Sequence, residues 1–383
     1  MKMKFVIAPD SFKGSLSAFE VANAMAAGMQ RVFPTATYDL IPMADGGEGT
    51  VEALVRATKG RFLTTLVHNP WDELVPAQYG VLGDGQTAVI EMAAASGIQF
   101  ITEQTANPLV TTTYGTGELI KAALDQGVQE IIIGLGGSAT IDGGSGMAQA
   151  LGARLLTATG TEIPHGGGGL KELATIDLTA LDPRLATTKL TLASDVVNPL
   201  IGEQGAAAVF GPQKGATPAM VKRLDANLTH YAEVIKRELG KSVAQLPGAG
   251  AAGGLGAGLL AFTNANLQSG IEVVLAATNF RQRCQGATLV LTGEGGLDFQ
   301  TSFGKAPAGV AQASKSVNPQ VPVIALAGRV ATSARELYVT TGIDAMFATP
   351  TGAKDLPTAL KDAREDIAQT AESIGRVIKM MTK

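Results

Sequence analysis

The chain has 383 residues, of which 45% are hydrophobic and 17% are charged, and its formal net charge is −4. This length is sufficient for two domains, and the weakly acidic balance argues against nucleic acid as a partner, because nucleic-acid-binding surfaces are usually basic. No apolar run reaches the roughly 18 residues of a membrane span, and a single cysteine, Cys284, excludes internal disulfides and cysteine-based metal clusters. We therefore expect a cytoplasmic protein without a nucleic-acid or membrane partner.

The first fifty residues predict a strand, a helix and a second strand. Residues 4–10 form a short apolar run that ends in an acid, and residues 17–33 carry apolar side chains at helical spacing behind an S-x-x-E capping box. Residues 35–50 close the unit. Two strands joined by a helix are expected to be parallel, so the loops 8–15 and 44–50 meet at the carboxyl edge of the sheet, where open α/β sheets bind ligands.

The central part of the chain predicts a second set of elements. Strands are expected in residues 61–70, 77–93, 130–139 and 190–200, with a hairpin turn at GDGQ (83–86). Helices are expected in residues 115–127, 144–156, 218–239 and 256–265.

The last hundred residues repeat the alternation of strand and helix. Strands are predicted in residues 287–295, 321–328 and 345–350, and helices in residues 305–316, 332–342 and 356–381. With the two N-terminal strands they give five parallel strands, the element list of a flavodoxin-like doubly wound sheet. The alternative is that the two ends of the chain form separate sheets, but sheets of two or three strands are marginal alone.

These elements predict an α/β protein with two domains. Residues 1–60 and 285–383 would form a discontinuous flavodoxin-like domain, and residues 61–284 would form a large inserted α/β domain. The active site is expected in the cleft between them.

Charged residues at the strand ends indicate a phosphate site. Asp10, Lys13, Asp45 and Glu48 lie in the first two loops among glycines that permit close backbone approach. A third loop, residues 291–307, places Glu294 at a strand end and Asp298 shortly after it, which suits Mg²⁺ because that ion takes one or two carboxylates plus phosphate oxygens. Lys305 stands at the next helix start and suits a phosphate. The alternative is a solvated loop with ordinary capping.

Other loops leave functional and structural interpretations open. GLGGSA (134–139) and PGAGAAGG (247–254) lack the context of a nucleotide motif but remain candidates for anion binding through backbone N–H groups. Lys214 in FGPQKGAT either binds a ligand or completes a turn. Asp195 follows an apolar strand, where it either accepts a proton from a substrate hydroxyl or caps the strand end. Residues 110–118 bind an anion or cap the following helix.

Taken together, these motifs resemble those of the bacterial type I glycerate kinases. The matching strings include APDSFKGSLSA, ADGGEGTVEAL, TTTYGTGELI, GLGGSAT, FGPQKGAT and LPGAGAAGGLGAGLLAF. The resemblance implies a flavodoxin-like domain with an inserted second α/β domain. It also implies ATP- and Mg²⁺-dependent phosphorylation of D-glycerate, mostly to 2-phosphoglycerate.

The resemblance and the chemistry of phosphoryl transfer suggest a role for each group of residues. Glu294 and Asp298 are the expected Mg²⁺ ligands. Lys13 and Lys305 are expected to neutralise phosphate oxygens or hold the glycerate carboxylate, and Asp195 or Asp45 to act as the base. The expected substrate- and phosphate-binding residues are Asp10, Ser11, Gly46, Gly47, Glu48, Thr113, Gly137, Ser138, Lys214, Gly250, Gly253, Gln300 and Thr301.

The chain departs from the family pattern at several positions. The family usually has an arginine where Gly296 stands, and we hypothesise that Arg329 substitutes for it; Ile141 and Val197 are further departures. The alternative activities are phosphorylation at the 3-hydroxyl or of a related hydroxy acid and, more remotely, an NAD-dependent hydroxy-acid dehydrogenase. A non-catalytic binding protein is a further alternative. A homodimer is left open as the assembly.

Overall fold

The computed structural model of the chain describes residues 3–381. Its strands in this range are β1 Lys4–Ile7, β2 Thr37–Leu40, β3 Arg61–His68, β4 Leu74–Val81, β5 Thr87–Glu91, β6 Glu130–Gly134, β7 Arg154–Leu156, β8 Thr175–Asp177, β9 Lys189–Ala193, β10 Asn266–Gln268, β11 Leu289–Leu297, β12 Val323–Val330 and β13 Ala345–Ala348.

The α-helices in the same range are α1 Ala18–Gln30, α2 Thr50–Thr58, α3 Ala93–Ser96, α4 Tyr114–Leu124, α5 Ser145–Ala150, α6 Ala206–Phe210, α7 Pro218–Leu239, α8 Leu255–Phe262, α9 Gly270–Ala277, α10 Phe280–Arg283, α11 Ala306–Val317, α12 Leu337–Thr340 and α13 Leu356–Met381. Short 3₁₀ helices lie at Ile98–Phe100, Gly169–Glu172, Pro183–Ala186, Pro212–Lys214, Ala251–Gly254, Phe299–Ser302 and Thr332–Glu336. Within the described residues, no helix combines the length and the apolar character needed to cross a membrane.

The chain divides into two compact units, and unit 1 contains both ends of the described chain. It comprises the residues up to Asp45, Glu52–Lys59 and the residues from Ser269 onward. Its five-stranded sheet has the order β13-β12-β11-β1-β2, and all neighbouring strands are parallel. Numbered along the chain within this unit, the order is 2-1-3-4-5. The predicted capping box of α1 is confirmed: Ser17 Oγ accepts from the Glu20 N–H, and the Glu20 carboxylate accepts from the Ser17 N–H.

Unit 2 comprises Gly46–Val51 and Gly60–Gln268. Its six-stranded sheet has the order β10-β9-β6-β5-β4-β3, in which β5, β6, β9 and β10 are parallel neighbours and β3, β4 and β5 pair antiparallel. The predicted hairpin turn at GDGQ joins β4 to β5. Two apolar cores support the unit, one around Ile90 and Ile133 and the other around Leu228 and Tyr231. The predicted α/β class with parallel sheets is thus confirmed.

Apart from Gly60, which belongs to unit 2, the unit boundaries differ from the predicted ones at two places. Residues 269–284 belong to unit 1, where Lys4 Nζ donates to the Arg283 carbonyl at 2.6 Å and the Arg283 guanidinium pairs with Asp39. Residues 46–51 belong to unit 2, where the Val51 N–H donates to the Glu91 carboxylate at 2.8 Å. Both differences depend on contacts between residues far apart in the chain, which local patterns do not indicate.

One predicted helix is wrong in its second half. The helix predicted for residues 144–156 ends at Ala150, and Arg154–Leu156 forms β7. β7 pairs antiparallel with β8, and the pair Leu155 and Ile176 is buried in the second core of unit 2. Tertiary burial therefore overrides the local helical pattern at this position.

Candidate functional site

A cavity of about 410 Å³ lies in unit 1 at the carboxyl edge of the parallel sheet. Parallel pairing brings its loops together: the Ala8 N–H donates to the Leu291 carbonyl, and the Asp10 N–H donates to the Gly293 carbonyl at 2.8 Å. The sequence-predicted residues that line the cavity are Asp10, Ser11, Lys13, Asp45, Glu294 and Lys305. The strand ends therefore bring together three acids and two lysines that are far apart in the sequence.

Asp10 is the most strongly perturbed acid at this cavity. Burial and the nearby Asp45 carboxylate, together with Glu294, raise the pKa of Asp10 from 3.8 to about 7. The Ser11 N–H, which donates to Asp10 Oδ1 at 2.6 Å, and the Lys13 charge oppose this change. The net effect is a carboxyl group that gains or loses its charge close to neutral pH.

Glu294 lies in the second half of β11, three residues before the strand ends, and is nearly buried, with 8% of its surface exposed. Burial raises the pKa of Glu294, whereas a hydrogen bond from Thr301 Oγ1 at 2.6 Å and the charge of Lys305 lower it. Lys305 Nζ is 3.9 Å from the Glu294 carboxylate. The Thr301 hydroxyl thus fixes the orientation of the Glu294 carboxylate, and the Lys305 ammonium lies next to that carboxylate.

The structure gives Asp298 and Gln300 a different environment from the predicted one. Asp298 caps the 3₁₀ helix Phe299–Ser302 by accepting from the Gln300 N–H at 2.8 Å. Neither Asp298 nor Gln300 is among the residues that line the cavity, and the buried Thr301 reaches it only through Glu294. Ordinary helix capping is the alternative role expected for this loop from the sequence, and Asp298 has that role in the structure.

The acids at the cavity fit a divalent cation. Within residues 3–381, no group of three or more acid, histidine or cysteine side chains is arranged to hold a metal by itself. Mg²⁺ does not require such a cage, since it keeps several waters and binds through one or two carboxylates plus substrate phosphates. The mutual repulsion of Asp10, Asp45 and Glu294 is the kind of electrostatic cost that a bound cation removes.

Arg329 is a cavity residue that the sequence motifs alone could not place. Gly296 on β11 is the register partner of Arg329 on β12, and both residues line the cavity. The guanidinium is therefore carried by the strand next to the one that holds the glycine. The strand prediction for residues 321–328 was the available signal, because it puts Arg329 at a strand end.

A second group of predicted residues gathers at the strand ends of unit 2. Gly46 has a φ of +89° and packs so closely on β9 that a Cβ there would lie 2.6 Å from the Ala193 carbonyl oxygen. Gly47 lies against Gly136, which follows β6. Glu48 and Asp195 are exposed, and Asp195 follows the end of β9. The glycine loop and Asp195 thus share the carboxyl edge of this sheet.

Lys214 is buried, with 2% of its surface exposed. Its Nζ donates to Ser138 Oγ at 2.6 Å and to the Thr140 carbonyl at 2.8 Å, so it holds the loop that contains Gly137. Burial lowers the pKa of Lys214 from 10.5 to about 7, and the charge of Asp142 opposes this change. Of the two interpretations given for Lys214, these contacts describe the structural one.

Asp142 is a buried acid that the sequence analysis did not single out. Its carboxylate accepts hydrogen bonds from the Thr113 N–H and hydroxyl, both at 2.8 Å, and from the N–H groups of Gly144 and Gly146. Burial raises the pKa of Asp142 above its ordinary value, although these hydrogen bonds act in the opposite direction. Thr113, predicted to bind substrate or phosphate, is fully buried and hydrogen-bonds this acid. The isolated acid in TIDGG was the signal that could have indicated it.

The glycines predicted at 250 and 253 serve close backbone packing. A side chain at Gly250 would clash with the carbonyl oxygen of Pro199, and one at Gly253 would clash with that of Thr140. Both glycines are buried. The G-x-G-x-x-G letters in this segment therefore coincide with packing positions inside unit 2.

A Lys214→Met variant tests the structural interpretation of this lysine. We expect it to lower the free energy of unfolding by about 1–3 kcal/mol, because Ser138 and the Thr140 carbonyl lose their buried donor. Thermal unfolding measures this loss, and exposed Lys222→Met is the matched control. A raised KM for a substrate at unchanged Tm would instead assign Lys214 to ligand binding.

The raised pKa of Asp10 predicts a pH-dependent stability. Between pH 3.8 and about 7 the folded chain binds a proton at Asp10 that the unfolded chain releases, so its contribution to stability is lost as pH rises through this range. We expect Asp10→Asn, which cannot ionise, to remove this loss in a series of Tm measurements from pH 4 to 8 without added metal. Parallel Tm curves for the wild type and this variant would contradict the prediction, and exposed Glu336→Gln should follow the wild type.

The parallel sheet and the charged cavity at its carboxyl edge define the protein as an α/β enzyme with a site for an anionic ligand. Comparison with known sequences specifies the family. The sequence model described as the glycerate kinase family matches residues 5–379. A glycerate kinase from Bacillus subtilis (strain 168) is 53% identical over 378 residues, which cover 99% of this chain and 98% of that protein. The chain therefore belongs to the glycerate kinase family, whose reaction is the phosphorylation of glycerate.

Further relatives agree with this assignment. A glycerate 2-kinase from Escherichia coli (strain K12) is 50% identical over 376 residues, which cover 98% of both chains. The crystal structure of a candidate glycerate kinase 2 from Salmonella typhimurium LT2 matches with a TM-score of 0.91 at 50% identity, over 100% of both chains.

Proposed function

We propose that the protein transfers the γ-phosphoryl group of ATP to the 2-hydroxyl of D-glycerate, giving 2-phosphoglycerate and ADP. Family membership supports glycerate as the acceptor. The 2-position is supported by the name of the Escherichia coli relative, glycerate 2-kinase, at 50% identity over nearly the whole chain. The observation in this structure that supports phosphoryl transfer best is the cavity where Asp10, Asp45 and Glu294 lie with Lys13, Lys305 and Arg329.

The residues divide into three roles in this proposal. Glu294 holds Mg²⁺ together with Asp10 or Asp45, and the ion supplies charge neutralisation to the phosphates. Because its carboxylate caps a 3₁₀ helix and does not line the cavity, Asp298 is a weaker candidate than the sequence implied. Lys13 and Lys305 neutralise phosphate oxygens or hold the glycerate carboxylate.

The remaining role is that of the base. The oxygen of the 2-hydroxyl forms a bond to the γ-phosphorus as the bond to the ADP oxygen breaks, and the hydroxyl proton passes to Asp195 or Asp45. Asp195 is exposed after the end of β9 and Asp45 lines the unit 1 cavity, so both acids are kept as candidates. The glycine loop that begins at Gly46 lies at the same sheet edge and offers backbone N–H groups to an anion.

The finer description of the fold is also part of the proposal. We assign unit 1 to the flavodoxin-like class on its parallel strand order 2-1-3-4-5, and unit 2 as an inserted domain, since its main segment lies within the chain of unit 1. A cytoplasmic location and a homodimer stay predictions; size-exclusion chromatography with light scattering tests the latter.

Product analysis tests the reaction directly. Purified protein is incubated with D-glycerate, ATP and Mg²⁺, and the product is identified by ³¹P NMR. We expect 2-phosphoglycerate, with no product when Mg²⁺ is removed by chelation. A 3-phosphoglycerate signal would overturn the regiochemistry, and the absence of product would overturn the choice of donor or acceptor.

Arg329→Ala tests whether this arginine replaces the one that the family usually has at position 296. We expect kcat/KM for glycerate to fall by about tenfold or more, because a guanidinium binds carboxylate or phosphate with two hydrogen bonds. Arg329→Lys should recover only part of the activity, and exposed Arg335→Ala is the matched control. An unchanged kcat/KM in Arg329→Ala would exclude the substitution hypothesis.

A further inference from the structure

One wall of the unit 1 cavity is an apolar stripe on the first two turns of α13. Its residues follow helical spacing, at positions i, i+3, i+4 and i+7, and all of them line the cavity: Leu356, Ala359, Leu360 and Ala363. Farther along α13 the same face is buried against α1, where Ile367 and Ala371 share a core with Met25. One face of α13 is therefore apolar along its length. It faces the cavity in the first two turns of the helix and the core of unit 1 in the later turns.

The apolar wall is held in place by hydrogen bonds. Asp366 is buried and accepts from Lys354 Nζ at 2.8 Å and from Thr351 Oγ1 at 2.7 Å, which fixes the segment leading into α13. Ser15 Oγ donates to the Leu360 carbonyl at 2.7 Å and thereby ties the first ligand loop to the helix. A fixed wall of this kind lowers the ordering cost of binding a ligand.

The other part of the lining is charged. It carries Asp10, Asp45 and Glu294 together with Lys13, Lys305 and Arg329. A ligand that fills the whole cavity must have a flat or bulky apolar part and an anionic part. Glycerate has only three carbons and is polar throughout, so it would leave the apolar stripe uncovered. The volume of about 410 Å³ falls in the range of pockets that bind nucleotide-sized ligands.

We infer that the apolar stripe of α13 binds the base and ribose of the nucleotide phosphoryl donor, with the phosphates at the charged part of the same cavity. The inference rests on the proposed function, since it places the donor of that reaction. Charge complementarity supports it: the lysines and Arg329 suit phosphate oxygens, and the acids suit the accompanying Mg²⁺. Contact with an apolar helix face then accounts for binding of the base.

Two substitutions on the stripe and two forms of the donor test this assignment. Ala359→Phe fills the apolar part of the cavity, and Leu356→Ala removes a side chain that is 70% exposed and hence not needed for folding. Val377→Ala is the matched control, because Val377 is an exposed apolar residue of the same helix that does not line the cavity. Isothermal titration calorimetry measures the Kd of Mg²⁺-ATP and of Mg²⁺-tripolyphosphate for each protein.

The expected result is a loss specific to the nucleoside part. Wild-type protein should bind ATP more tightly than tripolyphosphate, and Ala359→Phe should weaken ATP binding by about tenfold or more while leaving tripolyphosphate unchanged. Leu356→Ala should show a smaller loss in the same direction, and Val377→Ala none. Equal wild-type affinity for the two ligands, or unchanged ATP affinity in Ala359→Phe, would overturn the inference.

Steady-state kinetics separates this inference from the proposed reaction. A rise in the KM for glycerate alone in Ala359→Phe would assign the stripe to the acceptor and overturn the inference, while the kinase reaction stands. A nucleoside-specific loss of binding in a wild-type-folded protein that forms no phosphoglycerate would support the nucleotide site and overturn the proposed reaction.

Discussion

Glu294→Gln is expected to lower kcat/KM by about 10²- to 10³-fold, the usual cost of removing a charged group that stabilises a transition state. The amide keeps the shape of the side chain and can still accept from Thr301 Oγ1, which donates to Glu294 at 2.6 Å in the wild type. The charge next to Lys305, which we propose also holds Mg²⁺, is lost. Steady-state kinetics as a function of Mg²⁺ concentration measures the effect, and the Mg²⁺ needed for half-maximal rate should rise.

Two further variants make the Glu294 experiment specific. Exposed Glu336→Gln makes the same chemical change outside the cavity and should retain wild-type kinetics. Thr301→Val keeps the Glu294 carboxylate but removes the hydrogen bond that orients it, together with the weaker bond of 3.3 Å that Thr301 Oγ1 accepts from the Asp298 N–H, and we expect a smaller loss of about tenfold. Unaltered Mg²⁺ dependence in Glu294→Gln, with Tm close to that of the wild type, would exclude Glu294 as a metal ligand.

Asp195→Asn is expected to lower kcat by about 10²- to 10⁴-fold, the typical contribution of a general base. The side chain is exposed after the end of β9, so an isosteric amide should leave the fold intact. Because the amide cannot accept the hydroxyl proton, the loss should appear in kcat, with little change in the KM for ATP. Rapid-quench measurement of a single turnover shows whether the chemical step itself is slowed.

Asp45→Asn provides the comparison, because Asp45 is the alternative base. If Asp195→Asn turns over near the wild-type rate while Asp45→Asn is inactive, Asp195 is removed from the mechanism and Asp45 takes the role. Exposed Glu203→Gln, in the same unit as Asp195, should behave as wild type. A large rise in the KM for ATP in Asp195→Asn at constant kcat would indicate binding rather than proton transfer.

Local patterns were sufficient for most elements of this protein. The helix predicted at 218–239 has these bounds in the structure, and the capping box at Ser17 is present, because apolar spacing and caps act within one or two turns. They failed at residues 154–156, where pairing with β8 and burial of Leu155 decide the conformation. They also could not place residues 46–51 and 269–284 in their units.

The candidate site divides in a similar way. Alternation of strands and helices predicted that acids and lysines at strand ends would share one edge, and Asp10, Lys13, Asp45, Glu294 and Lys305 do line one cavity. The same reasoning could not tell a ligand-facing residue from a buried one with identical local context. Lys214 and Thr113 lie in turn-rich loops like the others, yet both are buried and hydrogen-bonded within the protein.

The sequence by itself determined the α/β class, the family and the residue types available for catalysis, because strand and helix periodicity, glycine loops and acids at strand ends are local properties. Only the tertiary structure decided which of these side chains line a cavity and which are buried in hydrogen bonds within the protein. It paired Gly296 with Arg329 and buried Asp142. It also placed the apolar stripe of α13 in the wall of the unit 1 cavity. Each of these outcomes depends on strand register and side-chain packing between segments that are far apart in the chain. Local sequence patterns therefore do not predict them.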